Sequence, residues 1–403
     1  GSEMCIRDRA EASAPPIRPV KIGKGVRERT AGGETVQYRH EKTFYNPTVV
    51  GTLVGSDIAE ANLEAKLKTW NAFQFERVGF NLRPELVAVK DIGGNADAFA
   101  ATAKKIAETS EFNLVLMTED LNVMKAGVEA CGFKRPLMYA ATEANADDFG
   151  ALAKENNLPL AIKADSVEAL VPLSKKLTEM GLKDLVLDPG SREIKQSNED
   201  QIAIRRAALK DANRDVGFPT ITFPCEMASN LDMESLIAGM HIAKYGGIVI
   251  LSDFIGESLF PLLVSRLNIF TDPQRPMTVT EGIYEINNPD ENSPILVTTN
   301  FALTYFIVSG EIEGSRVPTW LLIKDSEGLS VLTAWAAGKF AGDDVGMFVK
   351  KSGIADKVKT RELVIPGYAA AIVGEVEEEL PDWTITVGPR EAPHIPAFLK
   401  DRY

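Results

Sequence analysis

The sequence predicts an α/β protein made of a TIM (β/α)8 barrel followed by a smaller, Rossmann-like open α/β domain. Short apolar runs of strand length alternate with helical patterns over most of the 403 residues. Seven such βα units precede a segment rich in proline and asparagine, and shorter units follow it, a rhythm typical of parallel sheets with crossover helices. Hydrophobic residues make up 45% of the chain and charged residues 25%, which excludes disorder as its general state.

Seven strands of the barrel are predicted from apolar runs that end in a turn or a polar residue. They are Leu86–Asp91, Leu114–Thr118, Leu137–Thr142, Leu160–Asp165, Leu185–Asp188, Thr220–Phe223 and Ile248–Asp253. The eighth strand is not obvious in the sequence. Apolar and polar residues alternate over residues 34–54 as in a hairpin, but Pro47–Val54 could instead supply the missing strand.

Domain boundaries are predicted from composition. The opening GSEMCIRDR has no secretory apolar core, and residues 10–24 are rich in proline, alanine and serine, so we interpret residues 1–30 as a sequence scar and an interdomain linker. The barrel is predicted over residues 31–285 and the second domain over 290–403, with the boundary inside Thr271–Pro294.

The second domain is predicted to hold four parallel strands with crossover helices. The strands are Ile295–Thr299, Thr319–Lys324, Glu362–Ile365 and Thr384–Val387; the helices are Asn300–Ser309, Ser330–Phe340, Asp343–Lys350 and Tyr368–Glu379.

Charge and residue counts exclude several classes of function. A formal net charge of −13 argues against nucleic-acid binding as the main activity. No apolar stretch approaches the ~20 residues that span a bilayer, so we expect no membrane anchor. The chain has three cysteines without a CxxC pair and three scattered histidines. We therefore expect neither a disulfide framework nor a metal centre. We therefore expect a cytoplasmic protein whose difficult chemistry belongs to a cofactor or a partner.

Acidic residues end several barrel strands, at the rim where barrels build sites. Asp91, Glu119, Asp120, Asp165, Asp188 and Asp253 could act as acids or bases, but such residues more often cap the following helices. No histidine, lysine or cysteine is visibly paired with them, so we assign no catalytic residue. Cys131, Cys225 and His241 are interpreted as packing residues.

Small-residue loops follow the strands of the second domain. The turn Gly328–Ser330 opens a helix that carries Thr333, and similar loops follow Thr298, Ile365 and Val387. If the strands are parallel, these loops meet at one sheet edge, where open α/β sheets bind ligands. Because GxGxxG and GxxxxGK[ST] are both absent, a large, flat, amide-bearing ligand fits better than a nucleotide.

Five stretches of the chain resemble one known family: APPIRPVKIG, LVLDPG, LVTTNFALTYFIVSGEIE, GLSVLTAWAAGKF and ELPDWTITVGPREAPHIPAFLK. They are similar to the large (gamma) subunit of the corrinoid iron–sulfur protein of the acetyl-CoA synthase/CO dehydrogenase system, also called acetyl-CoA decarbonylase/synthase. The similarity runs from about Ala10 to the C-terminus.

The resemblance implies a methyl carrier with a corrinoid (cobalamin) bound base-off, because the chain has no Asp-x-His-x-x-Gly motif. It would accept a methyl group on Co(I) from methyltetrahydrofolate or methyltetrahydropterin through a methyltransferase, and deliver it to acetyl-CoA synthase/CO dehydrogenase in the reductive acetyl-CoA (Wood–Ljungdahl) pathway of carbon fixation. The implied close partner is a small barrel subunit, giving a heterodimer. The family's 4Fe-4S cluster needs four cysteines; with only Cys5 upstream of the linker, the cluster is expected only in the full-length protein.

Corrinoid-binding residues are carried over from the motifs. They are Thr298, Thr304, Gly328, Ser330, Val331, Leu332, Thr333, Pro389, Arg390, Glu391 and Ala392. Thr333 is the candidate for the group near the lower face of cobalt.

Two other functions stay open on the sequence alone. The chain could be a free-standing pterin-dependent methyltransferase barrel whose rim acids bind the pterin. It could also be a structural subunit without a cofactor. Methyl transfer by the chain alone to free cobalamin would identify the first, and an absorbance spectrum after mixing with corrinoid would separate the second.

Overall fold

The computed structural model describes residues 14–37, 46–77, 80–271 and 276–403. They divide into two compact units: one runs to Phe75 and from Asn81 to Thr271, and the other takes Glu76–Phe80 and the chain after Thr271. The first unit therefore ends at Thr271, the first residue of the segment in which the sequence predicts the domain boundary.

The first unit is the predicted barrel, with eight strands in the order β10-β9-β8-β7-β6-β3-β12-β11. In chain order they are β3 (Val49–Gly55), β6 (Leu86–Lys90), β7 (Asn113–Met117), β8 (Leu137–Ala141), β9 (Leu160–Lys163), β10 (Leu185–Asp188), β11 (Ile221–Thr222) and β12 (Ile248–Leu251). Neighbouring strands are parallel. The N–H of Leu187 donates to Pro219 O at 2.8 Å, joining β10 to β11 and closing the barrel.

Helices connect these strands on the outside of the barrel. They are α1 (Glu60–Ala72), α2 (Ala96–Thr109), α3 (Leu121–Cys131), α4 (Ala146–Asn156), α5 (Val167–Glu179), α6 (Ile194–Leu209), α7 (Pro224–Met227), α8 (Leu231–Ala243) and α9 (Gly256–Phe270). The strands are apolar on both faces because side chains fill the barrel inside and helices cover it outside. The stretch Pro47–Val54 supplies the missing strand as β3, paired with β12 and β6.

The prediction of a linker up to residue 30 is wrong. β1 (Val20–Ile22) pairs antiparallel with β2 (Arg29–Ala31), and Val20, Ile22 and Ala31 are buried in the same apolar cluster as barrel residues such as Leu86. Each strand has three residues, too short to stand out in a proline-rich segment. Of the predicted hairpin over residues 34–54, residues 38–45 lie outside the described residues, and the end is barrel strand β3.

The second unit contains a five-stranded sheet in the order β13-β15-β14-β16-β17. The four predicted parallel strands are confirmed with their bounds: β14 (Ile295–Thr299), β15 (Thr319–Lys324), β16 (Glu362–Ile365) and β17 (Thr384–Val387). An additional edge strand, β13 (Gly282–Ile286), pairs antiparallel with β15. This stretch falls inside the predicted boundary segment, because Asn and Pro residues follow it directly.

Helices cover the sheet of the second unit. They are α10 (Ala302–Ser315), α11 (Val331–Ala336), α12 (Gly342–Ser352), α13 (Val373–Glu379) and α14 (Ile395–Arg402), with a 3₁₀ helix over Gly367–Ile372. The predicted helix Ser330–Phe340 is thus much shorter, and α14 was not predicted. A short hairpin, β4 (Phe75–Arg77) with β5 (Phe80–Leu82), completes the described strands. None of the helices in the described ranges is long and apolar enough to cross a membrane.

Candidate ligand-binding site

A cavity of about 280 Å³ lies in the second unit, where β14 and β16 end and the loop after β17 begins. Most of its lining is apolar, with Leu296, Val297, Ile307, Val308, Val331, Leu332, Val364, Ile365, Pro366, Gly388, Pro389, Ala392 and Ile395. The polar lining consists of Thr298, Thr304, Ser330, Tyr368 and Arg390. No carboxylate, histidine or cysteine occurs among these described lining residues.

Eight of the eleven sequence-predicted site residues line this one cavity. They are Thr298, Thr304, Ser330, Val331, Leu332, Pro389, Arg390 and Ala392. Gly328 and Glu391 lie in the same loops and Thr333 lies in α11, but none of the three belongs to the cavity lining. The parallel order of the strands brings the loops together, as carboxyl ends of neighbouring parallel strands meet at one edge.

Asn300 organises the loop after β15, and sequence analysis did not single it out. Its Oδ1 accepts hydrogen bonds from the Ser326 N–H, the Ser326 hydroxyl and the Gly328 N–H, each at 3.0 Å. Its Nδ2 donates to Asp325 Oδ1 at 2.7 Å. Because Asn300 is itself buried at the end of β14, this amide fixes the turn of one strand against the end of its neighbour.

Gly328 shapes the turn that leads to the cavity. Its φ is +76° and that of Glu327 is +56°, so both residues take the left-handed conformation that glycine adopts most readily. A Cβ atom at Gly328 would lie 2.9 Å from Thr278 Cγ2 and 3.0 Å from Pro276 Cβ. The residues packed behind the turn therefore leave room only for glycine at this position.

The helix that follows this turn is short. α11 has six residues, and its N-cap residue Ser330 shares a hydrogen bond of 3.1 Å with the hydroxyl of Thr333. Ser330 lines the cavity, whereas Thr333 is exposed and does not.

The loops after β16 and β17 hold each other in place. The Gly367 N–H donates to Pro389 O at 3.1 Å, and the Gly388 N–H donates to Ile365 O at 2.9 Å. A Cβ at Gly367 would lie 2.7 Å from both Arg390 N and Gly388 O. The Tyr368 hydroxyl also donates to the carboxylate of Glu391, and this bond raises the pKa of Tyr368. Glu391 therefore does not line the cavity, but it holds the lining residue Tyr368 through this hydrogen bond.

Exposed apolar side chains continue the cavity surface outward. Leu332 is 51% exposed and Tyr368 43%, although both line the cavity, and Ile307 is also exposed. Leu303, Trp335 and Val387 are further exposed apolar residues on the same elements. Apolar surface of this kind marks a place where a ligand or partner is expected.

The rim of the barrel carries a separate charged network around Asp188. This carboxylate is 1% exposed; it accepts from the Tyr139 hydroxyl, from the Gly190 N–H at 2.9 Å and from both guanidinium NH groups of Arg192 at 3.1 and 2.9 Å. Burial alone would lower the pKa of Arg192, but its bonds to Asp188 outweigh burial and raise it. Burial, together with the charge of Asp188, raises the pKa of Tyr139.

Other rim acids are also engaged by neighbours. Asp120 caps α3 through the N–H groups of Asn122 and Val123, as the sequence interpretation expects. Asp91 accepts from the Thr118 hydroxyl at 2.9 Å.

Two lysine pairings at the rim were missed in the sequence. Glu119 pairs with Lys163 at 2.8 Å, and Asp253 pairs with Lys66 and accepts from Trp70 Nε1 at 2.8 Å. These lysines lie 44 and 187 residues away from their partners, so only the closed barrel brings them together.

Three residues with reactive side chains in the barrel are packing groups: His241 and Cys131 are buried, and Cys225 is half-buried. His241 is 0% exposed and burial lowers its pKa to about 4. Burial raises the pKa of both Cys131 and Cys225 to about 12. None of these three groups carries a charge near neutral pH.

A closed barrel, together with an open sheet whose loops line an apolar cavity, defines a two-unit α/β protein. A family model described as "CO dehydrogenase/acetyl-CoA synthase delta subunit" matches residues 19–399. The chain is 41% identical over 389 residues to the corrinoid/iron-sulfur protein large subunit of Moorella thermoacetica, covering 96% of this chain and 86% of that protein. It is 38% identical over 402 residues to the acetyl-CoA decarbonylase/synthase complex subunit gamma of Methanopyrus kandleri, covering 97% and 86%.

The chain belongs to the family of the large (gamma) subunit of the corrinoid iron–sulfur protein. The family model carries the name of the delta subunit, but the full-length relatives are large or gamma subunits. Among solved structures, 7,8-dihydropteroate synthase of Vibrio fischeri matches 56% of this chain and 95% of its own at 13% identity, with a TM-score of 0.41. That likeness is too weak to support a pterin site.

Proposed function

We propose that this chain binds a corrinoid in the cavity of its second unit and serves as the methyl-carrying subunit of an acetyl-CoA synthesis or cleavage system. The observation that carries the proposal is the cavity at the sheet edge, which gathers eight residues of the family's motifs in one place. The names of the relatives, corrinoid/iron-sulfur protein and acetyl-CoA decarbonylase/synthase complex subunit, support the same conclusion.

The chemistry of the cavity residues fits a corrinoid, and the size of the cavity fits part of one. A corrin ring is broad and apolar on its faces and carries neutral amides at its edge, which matches apolar walls with hydroxyls at Thr298, Thr304 and Ser330. At about 280 Å³ the cavity is at the lower end of the range for small-molecule sites. It would therefore hold only part of such a ligand, and the exposed Leu332 and Tyr368 would contact the rest.

When bound, a corrinoid supplies the cobalt that accepts and releases the methyl group. The residues of this chain would bind the ring edge and shield it from water, and no histidine occurs among the described residues that line the cavity. Thr333, one helical turn from the cavity residue Ser330, remains our candidate for the group nearest the lower cobalt face.

Partners follow from the same reasoning. Since one sheet edge covers only part of a corrinoid, we propose that a small barrel subunit covers the remainder in a heterodimer. A methyltetrahydrofolate or methyltetrahydropterin methyltransferase would supply the methyl group, and acetyl-CoA synthase/CO dehydrogenase would receive it. Cys131 and Cys225 are free thiols, which supports a reducing cytoplasmic setting.

We do not assign the iron–sulfur cluster to the described residues. In the described ranges no group of three or more His, Cys, Asp or Glu residues could hold a metal ion. We propose that a 4Fe-4S cluster belongs to the full-length protein.

The proposal is tested by titrating the chain, with and without the small subunit, with cobalamin and recording the visible spectrum. We expect stoichiometric binding that tightens when the small subunit is added, and methyl uptake that requires the methyltransferase. If the isolated chain binds cobalamin and the small subunit leaves that affinity unchanged, the proposal of a small-subunit partner is contradicted. Methyl transfer from methyltetrahydrofolate to free cobalamin by this chain alone would instead identify a barrel enzyme. If no corrinoid binds, with or without the small subunit, the structural-subunit function is favoured.

A further inference from the structure

Arg390 is the one charged side chain among the described residues that line the cavity. Several other cations of the same unit are ion-paired: Lys339 with Glu327 at 2.6 Å, Lys350 with Glu379 at 2.7 Å and Arg402 with Glu362 at 2.7 Å. Within the described part of the chain, the Arg390 guanidinium makes no hydrogen bond or ion pair.

The surroundings of Arg390 leave its charge available to a ligand. The adjacent carboxylate, Glu391, is engaged by the Tyr368 hydroxyl, and no carboxylate belongs to the described lining. The backbone under Arg390 is fixed, because Gly367 N–H binds Pro389 O at 3.1 Å and a Cβ at Gly367 would meet Arg390 N. A guanidinium held beside apolar walls attracts an anion, and it is suited to the paired oxygens of a phosphate group.

Corrinoids differ in whether they carry such an anion. The amides at the ring edge are neutral, whereas the nucleotide tail of a complete corrinoid is attached through a phosphodiester, which is permanently negative. The short helix α11 cannot supply a strong dipole for it, so Arg390 is the group in the lining able to recognise it.

We propose that Arg390 binds the phosphodiester of the corrinoid's nucleotide tail and thereby selects complete corrinoids over tail-less ones. This inference rests on the proposed function, since it concerns the same cavity. Arg390 is exposed at the cavity mouth, so its contact with the phosphate is partly screened by water and salt.

The experiment compares three ligands that separate the phosphate from the base. Cobalamin has both, cobinamide phosphate has the phosphate without the base, and cobinamide has neither. Each is titrated, followed by visible absorbance, into the chain with its small subunit present. The variants are Arg390→Gln, Arg390→Lys, and Lys351→Gln as a control that removes an exposed charge in the last turn of α12.

For the parent chain we expect cobalamin and cobinamide phosphate to bind about tenfold more tightly than cobinamide, the gain from one exposed charge-assisted contact. Arg390→Gln should bind all three with the affinity of cobinamide, Arg390→Lys should keep part of the preference, and Lys351→Gln should keep all of it. The preference should weaken as salt is raised.

The outcomes separate this inference from the proposed function. If none of the three corrinoids binds the parent chain, the proposed function fails. If all bind equally, or if cobalamin alone is preferred because of its base, only the role of Arg390 is overturned. Weaker association of the small subunit with Arg390→Gln, at unchanged corrinoid preference, would show that Arg390 pairs with the partner and would also overturn the inference.

Discussion

The side-chain oxygen of Asn300 accepts the backbone N–H of Gly328 at 3.0 Å, so the end of β14 holds the turn that follows β15. The same oxygen accepts both the N–H and the hydroxyl of Ser326. Because Ser330 follows this turn directly and lines the cavity, the geometry of the candidate site depends on one buried amide that itself does not line it.

Asn300→Ala should destabilise the second unit and weaken corrinoid binding. The substitution leaves buried N–H groups of Ser326 and Gly328 without an acceptor, at a cost of about 2 kcal/mol. Urea denaturation followed by tryptophan fluorescence measures this, since Trp320, Trp335 and Trp383 all lie in the second unit. Thr299→Val is the matched control, because the buried Thr299 hydroxyl has no hydrogen-bond partner; a loss as large in the control would contradict the role of Asn300.

Gly328 and Ser330 should respond differently to substitution, although the sequence suggests one role for both. Gly328→Ala puts a side chain at φ +76° against Pro276 and Thr278, so we expect stability to fall by about 1–2 kcal/mol. Ser330→Leu fills part of the cavity and should lower corrinoid affinity at least tenfold with little change in stability. Denaturation and corrinoid titration of both variants check this; equal stability losses would contradict it.

Gly367→Ala should disturb the last loop of the cavity. The added Cβ would lie 2.7 Å from Arg390 N and Gly388 O, and backbone atoms cannot move aside without shifting the loop. We expect weaker corrinoid binding, measured by absorbance titration, and a lower midpoint of unfolding. Gly374→Ala in α13 has open space around its Cβ and should be neutral or slightly stabilising; similar behaviour of the two variants would show that packing at Gly367 is unimportant.

Most of the fold could be predicted from the sequence because parallel strands covered on both faces are continuous apolar runs. The buried strands β14, β15 and β16 have their predicted bounds for this reason, and the largely exposed edge strand β17 also has its predicted bounds. The hairpin β1–β2 could not be predicted, since three-residue strands owe their burial to the barrel they pack against. The edge strand β13 is exposed or half-buried at every position except Ile286, so it gives no such run.

The candidate site could be predicted as loops, but not in its internal contacts. Small residues after each strand end indicated the cavity, and most named residues line it. The hydrogen bonds of Asn300 join loops 25 to 28 residues apart, and the pairing of Tyr368 with Glu391 joins two others. Such contacts depend on strand order, which residue spacing alone does not specify.

His241 should make the barrel sensitive to acid. Burial lowers its pKa from 6.5 to about 4, so the unfolded chain binds this proton more tightly than the folded one. The contribution to stability is therefore complete above pH 6.5 and is lost as the pH falls toward 4, by about 2–3 kcal/mol in all. Urea denaturation between pH 7 and pH 4.5 should show a smaller loss for His241→Asn than for the parent; equal losses would mean that another group titrates.

The acids of the barrel rim should be dispensable for methyl transfer. Asp188→Asn, Glu119→Gln and Asp253→Asn each remove a charge that holds a neighbouring side chain, and none of these residues belongs to the cavity lining. We expect the methyl-transfer rate per bound corrinoid, measured with the small subunit and methyltransferase supplied, to stay within a few fold of the parent. Asp188→Asn should nevertheless lower stability by about 3 kcal/mol, because it leaves the partly buried Arg192 without its buried carboxylate.

Glu119→Gln is the internal control, since its pair with Lys163 is exposed and worth little. A rate loss of orders of magnitude in a rim variant that keeps its corrinoid and its fold would place the chemistry in the barrel. That result would favour the barrel enzyme over the carrier, because a carrier's own carboxylates take no part in the transfer.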